Sequence, residues 1–204
     1  MKPLGLILAG GRARRLGGAD KASLSLGGES LLAHAVARLA PQCAGLVVNA
    51  NGDPARFAAF ALPVVADDPA DFSGPLAGVL AGLDYARRQR PDVDHIVSLA
   101  VDTPFAPTDL VARLVEAKRA SGARLSVAAS AGQRHHVVAL WPVALSDDLR
   151  AAVVGEGLRR AEAFLDRYTV AVAEWSAKPF DPFFNINTAE DLVEAEARIA
   201  ASGG

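Results

Sequence analysis

The chain has 204 residues, 51% of them hydrophobic, and a formal net charge of −2. That length suits one α/β domain whose core needs no metal or disulfide staple, and the near-neutral charge excludes a general nucleic-acid binder. Cys43 is the only cysteine, which rules out an intramolecular disulfide or a cysteine-rich zinc site and makes it a small core residue.

The first predicted strand, Leu4–Ala9, runs into a connection of unusual composition. From Leu8 to Lys21 the chain places Gly10, Gly11, Gly17, Gly18, Arg12, Arg14, Arg15 and Lys21 in fourteen residues. Glycines let backbone N–H groups approach a ligand closely, and Arg and Lys match phosphate. A plain glycine-rich turn explains the glycines but not the cations beside them. The apolar run before the loop lacks the length and cleavage pattern of a secretory signal, and no stretch is long enough to span a bilayer. A cytoplasmic protein with no membrane partner is the expectation. The loop is not a P-loop, because Lys21 follows Asp20 and precedes Ala22. It is not a dinucleotide fingerprint either, since Arg12 stands where the second glycine belongs, which disfavours a nicotinamide oxidoreductase.

Further strands are predicted at Leu46–Ala50, Val64–Ala66, His95–Val101, Leu125–Ser130, Val137–Trp141 and Val170–Trp175. Helical faces lie at Leu31–Leu39, Leu76–Leu83 and Leu110–Val115. Arg87, Arg88 and Arg90 read as a solvated helix end. A last helix is expected to start with Thr188 as N-cap and to run to about Ala201. Such alternation gives a mostly parallel sheet with helices on both faces, and ligands then sit beyond the carboxyl ends of the strands.

Those ends carry the chemistry. Asn49 lies inside an apolar run, where its amide can read a base or ribose edge, while Asn51, Gly52 and Asp53 read as a turn. After the third strand come Asp67, Asp68 and Asp71, then Gly74-Pro75 opening a helix whose N-terminus suits an anion. Asp67 can accept from the N1–H and amino group of guanine together, whereas Asp68 and Asp71 read as capping or solvated acids. Asp102 closes a buried strand just before Thr103-Pro104, a costly place for a carboxylate unless it meets a cation, so it is the candidate Mg²⁺ ligand. Asn185 and Asn187, two apart, would share one side if extended, and either line an acceptor, complete the metal environment or form a turn before the last helix. His135 and His136 would point to opposite faces of a strand, with one touching substrate. The less regular segment from Gly132 to Asp181 is expected to shape an acceptor pocket.

The motifs Leu8-Ala9-Gly10-Gly11 through Asp20-Lys21, Val47-Val48-Asn49-Ala50-Asn51, Gly74-Pro75-Leu76-Ala77-Gly78, Asp102-Thr103-Pro104 and Phe183 to Thr188 resemble, in this order, the molybdenum cofactor guanylyltransferase family of the nucleotide-diphospho-sugar transferase fold group. The resemblance implies a single three-layer α/β/α, Rossmann-like domain over residues 1–204 with a mostly parallel, mixed sheet. Residues 1–105 would mainly bind nucleotide and residues 106–204 mainly acceptor. It implies transfer of GMP from GTP to the phosphate of molybdopterin or molybdenum-molybdopterin, with Mg²⁺. Other molybdenum cofactor biosynthesis proteins and cofactor-accepting enzymes would be partners. By the same resemblance Leu8, Ala9, Gly10, Gly11, Lys21, Asn49, Asp67 and Asp102 bind nucleotide, and Asp102 also binds metal. Lys21 and Asp102, with Arg15, are the expected catalytic residues, and Asn185, Asn187 and His136 the acceptor side. Some members carry a His-Pro pair where this chain reads His135-His136-Val137, which leaves the acceptor pocket open. The rivals are a cytidylyltransferase with the same loop and metal site, and a catalytically silent nucleotide-binding module.

Overall fold

The computed structural model describes residues 1–10, 12–13, 19–67 and 74–202. In chain order the elements are β1 (Leu4–Leu8), β2 (Arg12–Ala13), β3 (Ala19–Asp20), β4 (Ser25–Leu26), β5 (Glu29–Ser30), α1 (Leu31–Leu39), β6 (Leu46–Asn49), β7 (Val64–Val65), α2 (Pro75–Gln89) and β8 (His95–Ala100). They continue with α3 (Leu110–Ser121), β9 (Leu125–Ser130), β10 (Gln133–Pro142), α4 (Ser146–Arg150), α5 (Ala161–Leu165), β11 (Val170–Trp175) and α6 (Ala189–Ser202). Seven strands form one sheet in the order β11-β9-β10-β8-β1-β6-β7. Among the described strands of this sheet β10 alone runs antiparallel to its neighbours, so the sheet is mixed but mostly parallel.

Period-two alternation divides the core between the two faces. Leu4, Leu6 and Leu8 of β1 point to one side with Val47 and Ile96, where α2, Leu149 of α4 and Phe164 of α5 cover them. Ile7, Val48, Val97 and Leu99 point to the other side, beneath α1, α3 and Ala195 of α6. A central strand buried on both faces must be apolar throughout, and β1 is buried at every residue. Cys43 is in this core as expected, and burial pushes its thiol pKa up to about 12.

The chain leaves β1 for β6 and β7 on one side, then returns to β8 on the other. This reversal opens a crevice at the carboxyl ends of β1 and β8. Backbone bonds continue the ladder past the strands, with Ala9 N–H donating to Asn49 O at 2.9 Å and Val101 N–H to Leu8 O at 3.0 Å. Ala9, Gly10, Asn49 and Asp102 are thereby set side by side.

Two local expectations are revised. β10 starts at Gln133, not Val137, and its register against β9 shifts between His135 and Ala139. A bulge of this kind interrupts the in–out alternation that marks a strand. The region after β10 contains α4, a π-helical turn at Ala151–Gly155 and α5, elements too short for a periodic signature. Arg87 and Arg88 are more than a solvated helix end, because both reach the buried Asp84, at 3.3 and 3.8 Å. Ser146 Oγ donates to the same carboxylate at 2.6 Å and ties α4 to α2.

Candidate active site

A cleft of about 810 Å³ lies at the carboxyl ends of β1, β6 and β8. Leu8, Ala9, Gly10, Lys21, Asn49, Asp67 and Asp102 all line it. Gly11 and Arg15, expected beside them, lie outside the described residues, as do Asp68 and Asp71. Among the described residues no helix is long and apolar enough to cross a membrane.

One end of the cleft is ionic. Asp20 caps a 3-10 turn, Lys21–Ser23, by accepting from Ala22 N–H at 3.2 Å, and this turn aims Lys21 inward. Lys21 Nζ donates to Asp102 Oδ2 at 2.6 Å and to Asn187 Oδ1 at 2.7 Å. An ammonium has three protons, so one donor remains for a third acceptor. Asp102 Oδ1 is buried and has no hydrogen-bond partner among the described residues. A buried carboxylate oxygen without a partner is costly, and a cation is the partner it suits. Among the described residues no three His, Cys, Asp or Glu side chains gather as a metal cage. The donor set therefore fits an ion of the Mg²⁺ type, which is held by one carboxylate and completes its shell with phosphate oxygens and water.

The other end is a lattice of amides around one acid. Asn49, buried at the end of β6, donates through Nδ2 to Val65 O at 3.2 Å and to Asp67 Oδ1 at 2.9 Å. Asn51 Nδ2 donates to Asp67 Oδ2 at 2.8 Å, and Asp67 N–H donates to Asn51 Oδ1 at 2.9 Å. Helix α2 presses on this corner: a Cβ at Gly78 would stand 2.3 Å from Asn49 Oδ1 and 2.7 Å from Leu8 Cδ2. Only glycine permits that approach. Arg56 pairs with Asp20 Oδ2 at 2.9 Å and donates to Asn51 O at 2.8 Å, so it joins the two ends of the cleft. Arg56 carries no signal in the sequence, Asp20 is marked there only as part of the loop motif, and Asn51 reads as a turn residue. The i, i+2 spacing of Asn49 and Asn51 was the available signal, but it coincides with ordinary turn chemistry.

A second cavity, about 440 Å³, adjoins the first. Pro75 and Val137 line both, forming the ridge between them. The ridge is fixed from beneath: Trp141 Nε1–H donates to Ser98 Oγ at 2.8 Å, and Ser98 Oγ donates to Val137 O at 2.6 Å. Arg134, Arg159 and Arg160 give the second cavity a basic lining with Glu162 as its one acid among the described residues. His135 and His136 both line it, since the bulge removes the strict alternation that would have sent them to opposite faces. Asn185 and Asn187 separate: Asn185 lines this cavity and accepts from Thr103 Oγ1 at 2.8 Å, while Asn187 turns to Lys21. Ile186 N–H donates to Asp102 O at 3.0 Å and pins the segment between them. Asn187 is held from behind, because its N–H and that of Thr188 both donate to Asp191 Oδ2 at 2.8 Å. These backbone donors hold the Asp191 carboxyl below its ordinary pKa. Thr188 Oγ1 accepts from Asp191 N–H in return, the N-cap expected for the last helix.

Ser130, His135 and Asp181 form a further brace. Ser130 Oγ lies 2.7 Å from Asp181 Oδ1 and 2.6 Å from His135 Nε2. An ionised carboxylate only accepts, so the serine proton points to Asp181 and His135 donates through Nε2–H. Burial holds the His135 pKa below its ordinary value, with the Asp181 charge opposing. Ser130 is buried, so this arrangement braces the loop and offers no exposed nucleophile.

The comparisons with known proteins agree with this architecture. The family model described as MobA-like NTP transferase domain matches residues 5–172. A curated molybdenum cofactor guanylyltransferase from Bradyrhizobium sp. (strain ORS 278) is 57% identical over 97% of this chain and 92% of that protein. Among solved structures, molybdopterin-guanine dinucleotide biosynthesis protein A from Archaeoglobus fulgidus superposes with a TM-score of 0.74 at 23% identity, covering 97% of this chain and 99% of that one. A CMP:2-keto-3-deoxy-manno-octonic acid synthetase complexed with CTP gives 0.73 at 15% identity, covering 99% and 100%. These two share the fold. With a family model spanning most of its length and a relative of majority identity, the chain belongs to the MobA-like NTP transferases.

Proposed function

We propose that this nucleotidyltransferase moves GMP from GTP onto the phosphate of molybdopterin, forming the guanine dinucleotide cofactor and releasing pyrophosphate. The observation that carries the reading is the 57% identity, across nearly the whole chain, to a molybdenum cofactor guanylyltransferase. Two cavities meeting at one ridge support a two-substrate transfer. Residues 1–105 then supply most of the nucleotide side and 106–204 most of the acceptor side, with Asn187 crossing over to Lys21.

In this reading the backbone at Leu8, Ala9, Gly10 and Gly11 cradles the nucleotide, and Asp67, held by Asn49, accepts from guanine N1–H and the 2-amino group. Asn185, His136 and the arginines of the second cavity hold the acceptor. An oxygen of the acceptor phosphate, already ionised at neutral pH, attacks the α-phosphorus of GTP. The bond from that phosphorus to the bridging oxygen breaks, and its electron pair leaves on pyrophosphate. The protein need move no proton, and its task is positioning and charge neutralisation. Lys21, with Arg15, offers its remaining donor to the developing pyrophosphate, while Asn187 keeps the ammonium in place. Enzymes of this class use a divalent metal, and Mg²⁺ held by Asp102 Oδ1 would withdraw charge from the triphosphate oxygens.

The cytidylyltransferase alternative shares the fold, but the Asp67 carboxylate offers only acceptors, which suit the paired donors of guanine better than the mixed donor and acceptor edge of cytosine. A silent binding module has no need of the paired Lys21 and Asp102. The test incubates protein, Mg²⁺, molybdopterin and each nucleoside triphosphate separately, then weighs the product. A guanine dinucleotide with GTP alone is expected, and product with CTP alone overturns the assignment.

A further inference from the structure

Asn51 is solvent-exposed, yet both ends of its side-chain amide are committed to one residue sixteen positions away. It bonds the main-chain N–H and one carboxylate oxygen of Asp67, a two-point grip that fixes the acid's position and the plane of its carboxylate. Asn49 holds the other oxygen from the interior. Each carboxylate oxygen has two lone-pair sites, so each keeps one for a ligand after accepting one amide proton. Arg56 in turn holds the carbonyl of Asn51, and its other branch is anchored on Asp20, the cap of the Lys21 turn. An exposed turn needs none of this to stay soluble. The bonds immobilise a charged acceptor at the wall of a cleft, which is what discrimination between bases by hydrogen bonding demands.

We propose that Asn51 is a specificity-determining positioning residue: its amide holds the Asp67 carboxylate in register for the paired N1–H and 2-amino donors of a guanine base. The inference rests on the assignment of the cleft to GTP. Its test is binding, which separates it from the transfer reaction. Affinities of the whole protein for GTP and for ITP, which lacks the 2-amino group, are measured with Mg²⁺ and without acceptor.

The wild-type protein should prefer GTP by ~10- to 100-fold, the range for a hydrogen bond to a charged acceptor. Asn51→Ala should bring the two nucleotides to within about threefold, the loss falling on GTP affinity. Asn51→Asp has the same shape but sets a second carboxylate against Asp67, and two such groups cannot both ionise cheaply. Its GTP preference should therefore return as pH falls and a shared proton rebuilds the bridge, while the wild-type ratio stays flat. An unchanged GTP-to-ITP ratio in Asn51→Ala overturns the proposal, as does equal wild-type affinity for the two nucleotides or a pH-flat Asn51→Asp. Absence of guanylyl transfer by a wild-type protein that still prefers GTP overturns the acceptor reading and leaves this one standing.

Discussion

The two cavities share a ridge but differ in electrical character. Among the described residues the larger is lined by three acids, Asp20, Asp67 and Asp102, against Lys21 and Arg56, and both of those cations are paired with acids of the cleft. The smaller is lined, among the described residues, by three arginines and two histidines with a single acid. A site for an anion that arrives with its own metal can afford carboxylates, because the incoming cation satisfies them. A site for a bare phosphate must supply the positive charge itself. The difference supports the proposed division, with nucleotide on one side and a phosphorylated acceptor on the other.

The comparison is tested most severely at Asp102. Asp102→Ala should lower single-turnover transfer by about 10³-fold or more, and Lys21→Ala by ~10²- to 10³-fold, as when charge stabilisation at a reacting phosphate is lost. Melting temperature should fall more for Lys21→Ala, which leaves the largely buried Asp102 carboxylate unpaired, than for Asp102→Ala, and in both the loss of transfer should far exceed the loss of stability. Near-normal transfer by Asp102→Ala would remove the metal from this end of the cleft.

Next comes the basic cavity. Arg134→Ala and Arg160→Ala should each raise the acceptor KM by about tenfold while leaving the GTP KM within about twofold, the signature of lost uniform binding of one substrate. Equal movement of both KM values would mean that the two cavities are one site. Trp141→Phe probes the ridge they share. It removes the donor to Ser98 within the buried chain that fixes Val137, and should cost about 1–2 kcal/mol in denaturant unfolding. Because Val137 faces both cavities, any kinetic effect should fall on both substrates alike.

The two regions were not equally legible in the sequence. On the nucleotide side, β1, β6 and β8 are largely apolar runs, with Asn49 closing β6 and Gly10 and Asp102 two residues past the ends of β1 and β8. Leu8, Asn49 and Asp102 could therefore be placed at strand ends from pattern alone. The brace that gives this end its geometry could not, because Asn51, Asp67, Arg56 and Asp20 meet through tertiary contacts between turns. On the acceptor side the signal fails earlier. The first residues of β10 are exposed and polar, the bulge after His135 breaks the period, and α4 and α5 are shorter than the window a helical moment needs. Asn185 and Asn187 show the same limit: their spacing promised one shared face, but the chain there is not a strand and Asp102 O pins it between two cavities.

The smallest effect expected is also the one that separates the regions by pH. Burial lowers the His135 pKa, with Asp181 and Glu174 pulling it up and His136 adding to the downward push. A base whose pKa is depressed in the fold binds fewer protons there than in the unfolded chain. Its contribution to stability is therefore present above the unfolded pKa, near 6.5, and is lost as pH falls towards the lower folded value. Protonation would also charge the ring that stacks on Phe183 at 4.6 Å, in the segment that carries Asn185 and Asn187. Melting temperature followed from pH 8 to pH 5 should decline more steeply for the wild type than for His135→Gln, which keeps a side-chain N–H for Ser130 but has no proton to gain. Over the same range GTP affinity should respond less than acceptor affinity, because the amide brace around Asp67 contains no histidine. Parallel pH profiles in wild type and His135→Gln would remove His135 as the source of the slope. A GTP affinity that falls with the acceptor's would show that the loop between the cavities, not the cavity it lines, is what His135 controls.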